Sequence, residues 1–269
     1  MTVNAARLYL RYIGVSVRSQ MQYRASFIML TINGFLVVFL EFAGVWALFQ
    51  RFRSLRGWHL AEVGLFFGLV TTAIALGDMF GRGFDVFDRM IRSGNFDRLL
   101  LRPRGTAFQV AAQELTLFRI GKFMQGLIVL LWATATLGVT WTAGRVALAA
   151  LAILGGAALF YGLWVIQATI AFWTIESLEV MNAFPYGGAE TGQYPLPIYR
   201  PWFRRFFTFI MPLACVSYFP VLAILGREDD ALGSPRWFQC VCPLIGIVFM
   251  LLSFQVWKFG VRHYRSTGS

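Results

Sequence analysis

Charged residues are scarce in this chain: Asp, Glu, Lys and Arg fill 14% of its 269 positions, against 58% hydrophobic and 17% aromatic. A water-soluble domain of this length could not cover its surface from that stock, so the solvent is lipid. Acidic residues are the scarcer sign, 13 against 24 Lys and Arg, for a formal net charge of +11. Histidine is nearly absent, with only His59 and His263. The three cysteines, Cys215, Cys240 and Cys242, have no C-x-x-C spacing and no neighbouring histidine, which argues against a zinc or redox site and for cysteine as a small hydrophobe. There is no G-x-x-x-x-G-K-[ST] phosphate loop, so the chain is not expected to hydrolyse ATP alone. G-x-S-x-G and H-E-x-x-H are also missing, and the expectation is a non-enzyme with no metal or cofactor of its own.

What the chain has in quantity is long apolar runs. Six of about 20 residues, each enough to cross ~30 Å of hydrocarbon, fall at 25–49, 59–80, 118–139, 146–172, 206–225 and 241–260, leaving no large soluble domain. The expected fold is a single all-α integral membrane domain over 1–269. Arg7, Arg11, Arg18 and Arg24 precede the first run over a stretch too long and polar for a cleaved signal, so that run is retained. Six crossings put both termini on one side, and 18 of the 24 Lys and Arg then fall on that side, which the positive-inside rule makes the cytoplasm. The net charge is thereby a topology signal and an attraction to anionic lipid, with no call for nucleic acid.

Between the runs, three segments carry character. In 1–24, Arg7, Arg11, Arg18 and Gln22 share one helical face and Tyr9, Leu10, Ile13, Val17 and Met21 fill the rest, the pattern of a helix lying in the membrane surface. In 173–205, Glu176 and Glu179 extend a helix that Pro185 and Gly187-Gly188 are expected to end. Pro195, Pro197 and Pro201 then stiffen a cytoplasmic elbow that feeds the fifth run. The third segment, 81–117, contains MIRSGNFDRLLLRPRG at 90–105. Ser93-Gly94-Asn95 breaks one short helix and Pro103 stops another, which makes a compact knuckle. Phe87, Ile91, Phe96, Leu99 and Leu100 offer more apolar surface than a solvated loop should expose, rimmed by Asp88, Arg89, Asp97, Arg98 and Arg102. Apolar anchors in a polar rim suit protein docking, and the two aspartates disfavour anionic headgroups.

Three acids, Glu41, Glu62 and Asp78, lie in or at the edge of the first two runs, where an ionisable group marks a pathway, a proton relay or a local pair. Glu41 is the deepest; Glu62 and Asp78 stand near run ends, within reach of headgroups or of arginines such as Arg82. Gln125 and Gln167 in later runs are candidates for gluing helices together.

Four stretches together resemble a type-2 ATP-binding-cassette exporter permease: YRASF at 23–27, IRSGNFDRLLLRP at 91–103, FWTIESLE at 172–179 and QYPLPIYRPWFRRFFTFIMPLACVSYFPVLAILG at 193–226. The resemblance is to the six-span branch found as unlike pairs beside one ATPase. It implies that 1–24 is a connecting helix and that the loop between spans 2 and 3 holds a coupling helix, with Arg89, Ile91, Phe96, Asp97, Leu99, Leu100 and Arg102 on the ATPase. It further implies a dimeric ATPase partner that holds ATP and Mg, a second permease chain, a bacterial inner-membrane location and a lipid, hydrophobic or amphipathic cargo. Two other readings stay open: a gradient-driven carrier using Glu41 and Asp78, and a scaffold that transports nothing.

Overall fold

The computed structural model describes residues 5–174, 178–229 and 231–264, and among them the chain is helical. In hydrocarbon every backbone N–H and C=O must be satisfied within its own segment, which the apolar runs achieve as helices. The elements are α1 (Ala5–Gln22), α2 (Arg24–Phe52), α3 (Leu60–Asp85), α4 (Phe87–Arg92), α5 (Asn95–Leu100), α6 (Thr106–Ala111), α7 (Ile120–Thr136), α8 (Ala143–Ile170), α9 (Leu178–Gly192), α10 (Pro201–Arg205), α11 (Leu213–Val216), α12 (Tyr218–Leu225), α13 (Arg236–Val241) and α14 (Leu244–His263). Five stretches are long and apolar enough to cross a membrane: Arg24–Phe52, Leu60–Arg92, Leu117–Thr136, Ala143–Ile170 and Leu244–His263. They match five of the six expected runs.

α3 is the hub, packed between α7 and α8, and α14 closes on the far side of α8. Small residues set that last spacing. A Cβ on Gly155 would collide with the Pro243 carbonyl, and one on Gly246 with the Gly155 carbonyl, so the two backbones touch. α2 lies at the edge, against α7, with most of its surface open.

The sixth run departs from expectation. Instead of one crossing at 206–225, Pro201–Ile210 and Leu213–Leu225 meet at 73°, with Met211-Pro212 at the bend and a π-helical turn over Phe206–Ile210 before it. Pro212 has no N–H to continue the first limb, and it stands at the N-cap of α11. The bend lies among the bundle helices: Met211 packs on Gly188, and Leu213 on Gly192. Both limbs emerge at the same end. Before the first limb, the Pro197 carbonyl accepts a hydrogen bond from Arg56 Nη1 at 3.0 Å; after the second, Arg227 Nη2 pairs with Glu62 Oε1 at 2.7 Å, its guanidinium 4.5 Å from the Trp58 ring centre. Arg56 and Trp58 belong to the turn between α2 and α3, and Glu62 to the first turn of α3. The run is therefore a hairpin that enters and leaves by one end, called here the upper end; the 86–119 segment forms the lower end.

The traverse between ends is made by α9, which runs antiparallel to α3. Tyr186 Oη lies 3.3 Å from Asp85 Oδ2 near the lower end, and Gln193 Nε2 lies 3.4 Å from Thr71 Oγ1 farther up. Two expectations are corrected here. Pro185 does not end a helix: α9 passes through it to Gly192, because unwinding inside a packed bundle would strand several backbone groups where proline strands about one. The proline elbow also does not share an end with 86–119, and Arg200, Arg204 and Arg205 go up with it, weakening the basic asymmetry that the sequence suggested. Glu176 lies outside the described residues.

Candidate functional site

The lower end is built on an extension of the hub. Leu60–Arg92 covers 33 residues, about 50 Å at 1.5 Å per residue, well beyond the ~30 Å of a hydrocarbon core. Beyond Arg92 the chain reverses through Gly94, whose φ of +66° lies where a side chain would be strained, and α5 folds back on α4. Gln109 Nε2 donates to the carbonyls of Leu99 (3.1 Å) and Arg104 (2.9 Å), holding the loop after α5 against α6. Trp257 Nε1 donates to Thr106 Oγ1 at 3.1 Å and so ties α6 to α14.

This architecture overturns the expected docking anchors. Phe87, Ile91, Phe96 and Leu99 are buried, Phe96 with no exposed surface at all. The Phe96 ring sits 5.2 Å from Phe87, 5.3 Å from Phe172 and 5.0 Å from Tyr264, and Phe87 sits 4.9 Å from Trp257. The apolar side of the knuckle is spent inward, rooting α4 and α5 in the ends of α8 and α14. Leu100 (43% exposed) and Leu101 (87%) remain outside, with Arg89, Arg98 and Arg102 exposed beside them and Asp97 half-buried. Leu101 is the residue that sequence reasoning missed; its place next to Leu100 in an apolar triplet was the available signal.

α1 lies along this assembly. Ser16 Oγ and Gln20 Nε2 donate to the Leu115 carbonyl, and Gln20 Oε1 accepts from Leu117 N at 3.0 Å. Tyr9 packs on Phe108 with ring centres 5.8 Å apart. Arg7, Arg11 and Arg18 point away and are exposed. Sequence reasoning missed Ser16 and Gln20, which stand four apart on the face opposite the arginines.

The three acids part company. Glu62 caps α3, accepting from His59 N at 2.8 Å, and pairs with Arg227 at the upper end. Asp78 is buried near the lower end, its Oδ2 2.8 Å from Arg119 Nε, while Thr116 Oγ1 donates to its backbone carbonyl at 3.1 Å. Arg82, the arginine expected to serve these acids, pairs instead with Asp85 and stands 3.9 Å from Glu114. Glu41 is exposed on α2. Glu41 and Asp78 thus sit in different surroundings and do not form one site. Gln167 Nε2 donates to Asn182 Oδ1 at 2.7 Å and joins α8 to α9, the gluing role expected of it.

Two of the concavities that flank these elements differ sharply in character. At the lower end, a polar groove of about 380 Å³ opens between α4, α5 and 113–114, lined by Arg89, Arg98, Arg102, Asn95, Gln113 and Glu114 among others. Between α2 and α7 an apolar cleft of about 560 Å³ is lined by Phe35, Phe39, Phe42, Trp46, Ile128 and Trp132, with Gln125 its polar member. The arrangement offers one polar and one apolar concavity, and among the described residues no cluster of His, Cys, Asp and Glu suited to a metal.

Comparison with curated proteins and with solved structures gave no match. The sequence profile described as ABC-2 family transporter protein matches residues 35–268, nearly the whole bundle. The chain belongs to the ABC-2 transporter family and is a multi-pass membrane component of an ABC transporter.

Proposed function

We propose that this chain is the permease subunit of an exporter driven by a separate, dimeric ATP-binding-cassette ATPase, which binds the ATP and Mg that this chain has no loop to hold. The observation that carries the reading is the α4–α5 projection at the lower end: a short element continuous with α3, apolar at its tip in Leu100 and Leu101 and rooted by Phe87 and Phe96 against the ends of α8 and α14. A push on Leu101 is delivered through that aromatic cluster to three bundle helices at once. Packed interiors transmit such displacement because they do not compress. Arg89, Asp97, Leu100 and Arg102 are the surface that meets the ATPase, while Ile91, Phe96 and Leu99 act behind it as the root.

The lower end faces the cytoplasm of a bacterial inner membrane, where α1 rests its arginines among headgroups. The partner on the open face of α2 is a second, unlike permease chain. Glu41 supports this, since a carboxylate exposed on a membrane helix belongs against protein or water and not against hydrocarbon. A lipid, hydrophobic or amphipathic cargo fits the aromatic α2–α7 cleft. The carrier reading loses ground because Glu41 and Asp78 do not share a site.

The test is to extract the tagged chain gently from native membranes and identify its companions by mass spectrometry, with and without Leu101→Asp. An ATPase and a second permease should co-purify, with the ATPase lost in the variant. A chain that emerges alone sinks the proposal.

A further inference from the structure

The lower-end groove contains charge that the fold leaves unused. Arg82, Arg92 and Arg119 each stand near an acid of this chain, Asp85, Asp88 and Asp78 respectively. The guanidinium groups of Arg89, Arg98 and Arg102 have no partner among the described residues, though all three line one concavity. Exposed arginines scattered over a basic end need no explanation beyond topology. Three that converge on one groove while their neighbours are neutralised form a receptor for an anion. Guanidinium is suited to this, since its planar fork grips a carboxylate through two parallel hydrogen bonds.

We infer that this groove receives an acidic segment of the ATPase, one or more Asp or Glu side chains seated among Arg89, Arg98 and Arg102 while Leu100 and Leu101 enter an apolar pocket beside it. The inference rests on the coupling role proposed above and adds the chemistry of the partner's surface. A protein carboxylate is favoured over a lipid phosphate by placement. Arg89 lies 29 residues beyond Leu60, about 44 Å at 1.5 Å per residue, which sets it at the outer limit of the ~40–45 Å that hydrocarbon and headgroups occupy together. Glu114 on the groove wall repels a uniformly anionic surface but accommodates a discrete acidic side chain. The leucines supply the desolvated centre of such a contact, and the arginines its register and encounter rate.

The test uses the full-length chain in its native membrane with Arg98→Lys, treated with a water-soluble carbodiimide that joins an amine to a carboxylate at zero length. The expected product, absent from the unsubstituted chain, links position 98 to an Asp or Glu of a subunit that carries a G-x-x-x-x-G-K-[ST] loop. In parallel, the triple change Arg89→Gln, Arg98→Gln and Arg102→Gln should weaken ATPase retention about tenfold and flatten its decline as NaCl is raised. If no such link forms and the triple variant keeps its ATPase while Leu101→Asp sheds it, the groove assignment is wrong and the coupling role stands. If Leu101→Asp also keeps the ATPase, both fail. If the triple variant keeps its ATPase but loses co-purifying phosphatidylglycerol, the groove holds lipid headgroups, and the inference is overturned.

Discussion

Phe96 and Leu101 lie five residues apart in one knuckle and should respond to substitution in opposite ways. Phe96 is fully enclosed by Phe87, Phe172 and Tyr264, so Phe96→Ala is expected to cost about 3–5 kcal/mol, read as a fall in thermal midpoint of the purified chain in detergent. Leu101→Asp places a charge where 87% of the residue is already exposed, and the midpoint should stay within error while ATPase binding is lost. Two unstable variants would mean that the knuckle is a structural plug and not a docking tip. From sequence, Phe96 and Leu101 are both hydrophobes in a basic loop. What separates them is the approach of Phe172, Trp257 and Tyr264, which are 71 or more residues away along the chain and follow no local period.

At the scale of elements, two contacts hold the bundle in register and can be probed separately. Asp78 on α3 is buried against the part-buried Arg119 before α7, so Arg119→Met strands an enclosed carboxylate and should cost about 3–5 kcal/mol, while Asp78→Leu should cost less because Arg119 keeps some access to solvent. The double variant should recover most of that loss, and a thermal double-mutant cycle measures the coupling; strictly additive losses would show that the pair does not act as a unit. The α8–α14 contact depends on the absence of side chains instead. Gly155→Leu drives a branched group into the Pro243 carbonyl and should destabilise by about 1–3 kcal/mol, whereas the same change at Gly44, which has nothing within 4 Å, should be silent by the same assay. The spans carrying these contacts were legible from the length of their apolar runs. Their partners were not: Asp78 stood near Arg82 in sequence, yet the packing of α3 on α7 brings Arg119 to it and leaves Arg82 to Asp85.

For the whole molecule, the hairpin at 201–225 and the traverse by α9 make a topological prediction. In a Cys240→Ser background, with the buried Cys215 and Cys242 left in place, single cysteines at Ser54 and Arg200 should react with an impermeant maleimide from one side of sealed vesicles, and a cysteine at Asn95 from the other. Labelling of positions 200 and 95 from the same side would restore a straight fifth span and remove the hairpin. The sequence by itself determined the solvent, the helical class, the family and five of the crossings, because a run of about 20 apolar residues has few other stable forms in lipid and composition alone reveals it. Only the tertiary structure decided which segment makes the remaining crossing and which apolar residues of the knuckle face inward. α9 carries Asn182, Thr191 and Pro185, and it crosses because Gln167 and the neighbouring helices satisfy it; the greasier 201–225 run turns back because Pro212 breaks it between Gly188 and Gly192. Hydropathy counts the apolar residues in a segment, but the fate of a broken helix depends on the surfaces that distant parts of the chain present to it.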